Sequence, residues 1–351
     1  MLERAMTAHR HASWWSPAIV LTILVALLAP TPTAHAATLY TVPPVSGSLT
    51  RHSISGVYVS GVSSGGYMAG QLQVAYSGRI RGTAVFGAGP YYCAENNVDQ
   101  ALYGCMDNTD PTYLSTLETD ASTWSSYGWI DGIGHLSGRP IYVYHGGNDT
   151  TVKASVSDDG VSFYRHFGAN VTYDNGSAAG HSWVTPYGPN SCGVTQSPYL
   201  NNCGTDPERA LLGKLFGSVA PPNTGPLTGT LIKFGQDAYA VNGFANGLSM
   251  GSAGFAYVPS ACNSSTCRLM VALHGCKQGY DTIGTTFIDQ ANLDQYADTN
   301  NMIVLYPQAT PSGVNPDGCW DWWGYLNATN YPIHGGYQVE TIMNMISTLG
   351  G

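Results

Sequence analysis

Apolar runs separated by glycine- and asparagine-rich turns alternate with stretches of helical spacing along most of this chain. Ile54 to Val59 reads as a strand, and Met68, Leu72, Ala75 and Tyr76 recur at helical spacing behind it, predicting a helix over Gly66 to Tyr76. Thr83 to Phe86, Pro140 to Tyr144 and Asn170 to Tyr173 are further strands, interleaved with helices at Tyr113–Trp124 and Val161–Phe167. Asp206-Pro207-Glu208 caps a helix running through Leu215, with proline at its first position. This alternation predicts an α/β fold, a mostly parallel sheet with helices on both faces.

Ser218 to Pro226 breaks the pattern and reads as a linker, extending to about residue 229. Beyond it, Thr230–Phe234 and Gly254–Val258 read as antiparallel strands at a sheet edge. Cys267 to Leu273 is a buried strand ending in His274-Gly275-Cys276. Phe287–Tyr296 reads as a helix, Met302–Tyr306 as a strand, and Tyr337–Leu349 as an amphipathic helix with Val339, Ile342, Met343 and Ile346 on one face.

The first 36 residues read differently. Arg4 and Arg10 precede an apolar stretch, Ala18–Ala29, too short to span a bilayer comfortably, and Ala34-His35-Ala36 is a small-x-small cleavage site. The expectation is a secretory signal peptide (1–36) and a single catalytic domain (37–351). No later segment is apolar enough to cross a membrane. The roughly 315 remaining residues suffice for one large core. Eight cysteines follow the leader, an even number that in a secreted chain points to disulfides. Local pairs Cys93/Cys105, Cys192/Cys203 and Cys262/Cys267 are economical and leave Cys276 with Cys319, although eight cysteines allow on the order of a hundred connectivities. No Cys-x-x-Cys or His-rich cluster suggests a metal, and no cofactor is implied. The net charge of −9 argues against a nucleic-acid partner. Charged residues make up only 10% of the chain, a neutral surface that would suit an uncharged substrate and equally fits a secreted protein with ordinary polar uncharged loops.

The chemistry concentrates at Gly61-Val62-Ser63-Ser64-Gly65, a Gly-x-Ser-x-Gly turn between a strand and a helix. That is the nucleophile elbow of α/β-hydrolases, in which the turn lifts the serine hydroxyl out of the sheet. A second match, Gly247-Leu248-Ser249-Met250-Gly251, lacks a β-branched run before it and a helix start after it. Chain order in this fold is Ser, acid, His. Asp149 lies in the loop after one strand and His181 in the loop after the next, on the same side of the sheet as Ser63. The rival acids Asp131, Asp158 and Asp174 follow no strong strand at the right place. Among the rival bases, His145 reads as structural, His274 as acting through its backbone turn, His166 as helical, and His334 as close to the last helix. The oxyanion would meet the N–H of Ser64 and an N–H of the His-Gly loop, most simply that of Cys276.

In α/β-hydrolases the His-Gly loop precedes the nucleophile, whereas here it follows by more than two hundred residues. Joining Leu349 back to Ile54 restores the usual order. The expectation is therefore a circularly permuted α/β-hydrolase, tolerable because domain termini usually lie close together at the surface. A division into two domains, one per half, is the competing reading.

These residues resemble the single-domain, circularly permuted extracellular poly(3-hydroxybutyrate) depolymerases over about Val57 to Leu349. The resemblance rests on Val59-Ser-Gly-Val-Ser-Ser-Gly-Gly-Tyr-Met-Ala69, Asn148-Asp-Thr-Thr-Val152, Val271-Ala-Leu-His-Gly-Cys276, Ala297-Asp-Thr-Asn-Asn-Met-Ile303, Leu305-Tyr-Pro-Gln308 and Gly318-Cys-Trp-Asp-Trp322. It implies hydrolysis of polyester bonds by Ser63, Asp149 and His181, oxyanion donors Ser64 and Cys276, and the four disulfide pairs named above. It also implies a substrate crevice near Trp320 and Trp322, for which core packing beside Cys276/Cys319 is the alternative. Many bacterial members carry a separate polymer-binding domain. This chain stops at Gly351, so the expectation is adsorption through the catalytic domain itself, as a secreted monomer without membrane or nucleic-acid partners. Feruloyl or acetyl-xylan esterase activity is the alternative enzyme reading, and a secreted binding protein on an inactive hydrolase scaffold is the non-enzymatic one.

Overall fold

Strand β2, Ile54–Val62, lies in the interior of a nine-stranded sheet. The computed structural model describes residues 38–111, 113–326 and 330–351. The expected leader and its cleavage after Ala36 lie outside the described residues. Ala37–Gly351 form one compact unit.

The sheet is built from β1 (Val45–Ser46), β2, β3 (Ile80–Phe86), β4 (Pro140–Tyr144), β5 (Asn170–Asp174), β9 (Thr230–Gly235), β10 (Ala253–Val258), β11 (Cys267–Leu273) and β12 (Met302–Tyr306). The intervening β6 (Trp183–Val184), β7 (Asn190–Ser191) and β8 (Leu200–Asn202) form a small separate sheet. The main sheet runs β1-β9-β10-β12-β11-β2-β3-β4-β5. Only the β9–β10 and β10–β12 pairings are antiparallel. Both halves of the chain thus share one sheet, with β11 inserted between β12 and β2. Reading from β9 to the C-terminus and resuming at β2 gives strands in the spatial order one, two, four, three, five, six, seven, eight, with β1 added at the edge. The rejoined ends are close: the His52 N–H donates to Leu349 O at 2.9 Å. This is the permuted α/β-hydrolase order expected from the displaced His-Gly loop.

Alternation along the strands sorts the core into two faces. On β11, Leu269, Val271 and Leu273 pack with Met68 and Leu72 of α1 (Ser64–Ala75) and with Val339, Ile342 and Ile346 of α8 (Tyr337–Leu349). Met270 and Ala272 face the other way, toward Leu211 and Leu215 of α4 (Pro207–Phe216) and Leu293 and Tyr296 of α7 (Leu293–Asn300). The Asp206 carboxylate caps α4 by accepting from the Arg209 N–H at 3.1 Å.

Two local expectations need correction. The helix read at Val161–Phe167 begins at Ala154, so α3 spans Ala154–His166. Its first turns, Ala-Ser-Val-Ser-Asp-Asp-Gly, are polar enough to pass for a loop, yet Val156, Gly160 and Val161 are buried. The segment read as one helix over Phe287–Tyr296 is two, α6 (Thr286–Gln290) and α7, separated by Asn292 in the left-handed region at φ 59°. Finally, β1 and the small sheet went unseen, since strands of two or three residues carry no periodicity. The linker at 218–229 holds no regular element. It is pinned along α7, where Asp298 accepts from the Asn223 side chain and from both the N–H and hydroxyl of Thr228.

The disulfides join Cys93–Cys105, Cys192–Cys203, Cys262–Cys267 and Cys276–Cys319, closing loops with separations of 12, 11, 5 and 43 residues. Loop-closure entropy makes the last the most stabilising, at about 4 kcal/mol, against about 2 kcal/mol for Cys262–Cys267. Chemical denaturation of the two double Cys→Ser variants should show the larger loss for Cys276/Cys319. Equal losses would contradict this ordering.

Candidate active site

Ser63 stands between the end of β2 and the first residue of α1, with φ 57° and ψ −124°. Such a backbone costs on the order of 1–3 kcal/mol and is held only where surrounding structure demands it. The restraints are visible: the Ser63 N–H donates to Phe86 O at 2.9 Å, and Ser63 O accepts from the Tyr67 N–H at 3.0 Å. Gly65 lets α1 dock on the end of β11, for a Cβ there would lie 2.3 Å from Leu273 O and 2.4 Å from His274 O. As the first residue of the helix, Ser64 has an N–H with no intrahelical acceptor, at the positive end of the helix dipole.

Asp149 follows β4 and His181 follows β5, both nearly buried at 8% and 6% exposure. His181 Nδ1 lies 2.7 Å from Asp149 Oδ2. Asp149 Oδ1 accepts from the N–H groups of Thr151 and Val152 at 2.9 and 3.0 Å. An ionised carboxylate only accepts, so Nδ1 carries the proton and Nε2 presents a lone pair. Nε2 is buried and has no hydrogen-bond partner among the described residues. Gly87, in the left-handed region at φ 55°, makes room for this pair: a Cβ there would lie 3.1 Å from Asp149 Oδ2 and from the His181 ring. The segment that follows β7 braces the histidine from behind. The Gly180 N–H donates to Cys192 O and the His181 N–H to Thr195 Oγ1, and Cys192–Cys203 ties that region together.

His181 and Ser63 line one cavity of about 460 Å³, together with Tyr67, Leu102, Trp322 and Trp323. Gly275 and Cys276 also line it. Leu102 and Val98 stand half-exposed at its rim.

No family model matches the chain. It is 40% identical over 313 residues to a polyhydroxybutyrate depolymerase of Talaromyces funiculosus, covering 84% of this chain and 89% of that protein. It is 39% identical over 295 residues to a poly(3-hydroxybutyrate) depolymerase of Delftia acidovorans, covering 82% of this chain. The match spans 58% of that longer relative. The chain belongs to the polyhydroxybutyrate depolymerase family. Two solved structures agree in fold, each with a TM-score of 0.79 and covering 86% of this chain and 98% of theirs. One is a PHB depolymerase from Penicillium funiculosum at 37% identity, the other a PHB depolymerase with a serine-to-alanine substitution, complexed with an R3HB trimer, at 36%.

Within this depolymerase-family fold the rival residues are engaged elsewhere. Ser249 caps a short 3-10 turn, is not followed by a helix, and bonds the Ser312 hydroxyl at 2.6 Å. Asp131 accepts from the Gly78 N–H, and Asp174 from the Tyr142 hydroxyl. His145 Nε2 meets Val152 O, His166 sits 3.2 Å from Glu118, and His334 Nε2 meets Ala75 O.

The two tryptophans separate. Trp322 lines the cavity and stacks on Tyr67 with centroids 4.2 Å apart and planes at 9°. Trp320 does not reach it. Its ring is fully buried and its indole N–H donates to His274 O at 2.9 Å, so the expected substrate contact at Trp320 is corrected to a strut beneath the His274-Gly275-Cys276 turn. Asp321 between them accepts from the N–H groups of Gly324, Tyr325 and Leu326, while burial pushes its pKa up to about 7. Sequence reasoning missed Trp323, which abuts Trp322, and Gln278, whose side chain bonds the Gly275 N–H. The signal for Gln278 was its position three residues beyond Gly275.

His274 is entirely buried. Its Nε2 accepts from the Ala309 N–H at 3.1 Å, so the ring proton sits on Nδ1 and is donated to Gly275 O at 2.7 Å. Burial pushes its pKa down to about 4. The unfolded chain takes up this proton near pH 6.5 and the folded chain only near pH 4. The neutral ring's contribution to stability is thus complete above about pH 6.5 and declines as pH falls toward 4. NMR titration should find this ring neutral at pH 5, and a midpoint at or above 6 would refute the buried-strut assignment.

Proposed function

We propose that this chain is a secreted serine esterase that hydrolyses the ester bonds of poly(3-hydroxybutyrate) through an acyl-enzyme formed on Ser63. The observation that carries the assignment is His181 Nε2, buried and unpartnered in the cavity that Ser63 lines, while Nδ1 is held by Asp149. Membership in the depolymerase family, and the R3HB trimer in a related structure, support the polyester substrate.

Ser63 Oγ attacks the ester carbonyl carbon as its proton passes to His181 Nε2. Asp149 holds the ring in the required tautomer and stabilises the imidazolium. The carbonyl electron pair moves onto oxygen, which the N–H groups of Ser64 and Cys276 receive. Collapse breaks the ester C–O bond, and the departing chain end leaves as an alcohol with the proton from His181. Water then loses a proton to His181 and attacks the acyl carbon; the bond from that carbon to Ser63 Oγ breaks, Oγ takes the proton back from His181, and a carboxylic acid leaves. The cavity lacks a row of cations, which suits an uncharged chain: among the described lining residues Lys277 is the one fixed cation, and it pairs with Asp317 at 3.3 Å. Trp322, Trp323 and Leu102 supply apolar contact for methyl-bearing repeat units. Four disulfides fit an enzyme working outside the cell.

Clearing of a poly(3-hydroxybutyrate) suspension, with product analysis, tests the substrate. Ser63→Ala should lower kcat by about 10⁶ and abolish labelling by a fluorophosphonate, while Ser249→Ala stays near wild type. Asp149→Asn should cost about 10⁴ in kcat. Retained turnover in Ser63→Ala, or equal losses at both serines, would remove the nucleophile assignment.

A further inference from the structure

The turn that follows β11 is tied to the histidine loop by a single side chain. Gln278 is 2% exposed, and its amide is fully engaged. Oε1 accepts from the Gly275 N–H at 2.7 Å, while Nε2 donates to Pro198 O at 2.9 Å and Tyr199 O at 3.1 Å. The flipped amide would set oxygen against two carbonyls and NH₂ against an N–H donor, so the network dictates this orientation. The Gln278 N–H closes the same turn onto Gly275 O at 3.2 Å.

Each end of this bridge touches the catalytic apparatus. Gly275 abuts the nucleophile, since a Cβ there would lie 3.3 Å from Ser63 Cβ. At the far end, Tyr199 O also accepts from the Trp183 N–H at 3.0 Å, in the segment that leads out of His181. Tyr199 itself lines the cavity. The Gln278 amide therefore spans from the His274–Gly275 peptide, one unit before the Cys276 N–H, to the backbone braced against the His181 loop.

We propose that Gln278 is a positioning residue for ester hydrolysis, setting the spacing between the oxyanion-binding turn and the loop that carries His181. This rests on the assignment of Ser63 as nucleophile and of the Ser64 and Cys276 N–H groups as oxyanion donors. An oxyanion donor works only when aimed at the point where charge develops. Displacement of a catalytic group by about 1 Å can cost about 10² in rate. Without the Gln278 oxygen, the buried Gly275 N–H loses its acceptor, and the turn shifts to recover one. The loss falls on the transition state, so kcat drops while KM holds.

Two variants test this with p-nitrophenyl butyrate, a soluble ester that removes adsorption from the readout. Gln278→Met keeps the volume and removes both sets of bonds. Gln278→Glu keeps the acceptor for Gly275 but sets an anion against two carbonyls. Both should lose about 10- to 100-fold in kcat per active site, counted by burst titration, with KM within about threefold. Affinity for a boronic acid that forms a tetrahedral adduct on the serine should fall by the same factor. A glutamine with only a structural role would lower Tm and the titratable fraction but leave kcat per titrated site intact. That result, or a loss carried by KM, overturns the proposal. If Gln278→Met does not fold, Gln278→Glu carries the same readouts. Ser63→Ala in this assay separates the two levels. Turnover retained there overturns the nucleophile assignment and the bridge with it, whereas an inert Ser63→Ala beside undiminished Gln278 variants overturns the bridge alone.

Discussion

Parallel pairing between β2 and β11 sets Gly61 opposite Leu273, and the geometry at the catalytic end depends on that register. Both strands end there, one turning into Ser63 and the other into His274-Gly275-Cys276. A slip of one residue would turn the apolar set of β11 to the opposite face, exchanging the neighbours of α1 for those of α4. Burial on both faces of the sheet forbids that slip. The same register lets Gly65 meet the Leu273 and His274 carbonyls at a distance no side chain could share. Two segments about two hundred residues apart thus become one site through backbone pairing, and permutation leaves that pairing untouched.

The strands that build this frame were legible because their apolar runs are long and bounded by turn residues. Pro140–Tyr144 and Met302–Tyr306 have the bounds the sequence predicts. The order of the motifs carried the topology, since a His-Gly turn arriving after the nucleophile makes sense only if the sheet is completed from the far end. What escaped was information without periodicity. Asn292 breaks a helix through a backbone conformation that its apolar spacing does not reveal. The small sheet behind His181 is held by short pairings and Cys192–Cys203 rather than by a hydrophobic pattern. Trp320 and Trp322 are two residues apart, so an extended backbone sends them to opposite sides only if the chain twists between them, which sequence does not disclose. Burial and the bond to His274 O decide it for Trp320.

Low charge shapes how the fold satisfies its interior. Three carboxylates at or near the interior are met by tyrosine hydroxyls rather than cations: Tyr306 donates to buried Asp294, and Tyr296 and Tyr257 donate to the half-buried Asp206 and Asp298. A phenol neutralises no charge, and burial accordingly pushes the Asp294 carboxyl well above the usual range. Asp298 shows what such a group gains, for it also takes the Thr228 and Asn223 donors and so fixes the linker that the permuted order requires.

The same logic reaches its limit beneath the His274-Gly275-Cys276 turn. His274, Trp320 and Gln278 each satisfy a backbone group of the turn, and none carries a charge at neutral pH. Under the proposed mechanism a cation there would stabilise the oxyanion but would also bind the carboxylate product, whereas neutral struts leave the developing charge to backbone N–H dipoles without a net charge to retain the acid. A turn built this way must be held by geometry alone, which is why its supports are buried, fully hydrogen-bonded and stapled by Cys276–Cys319.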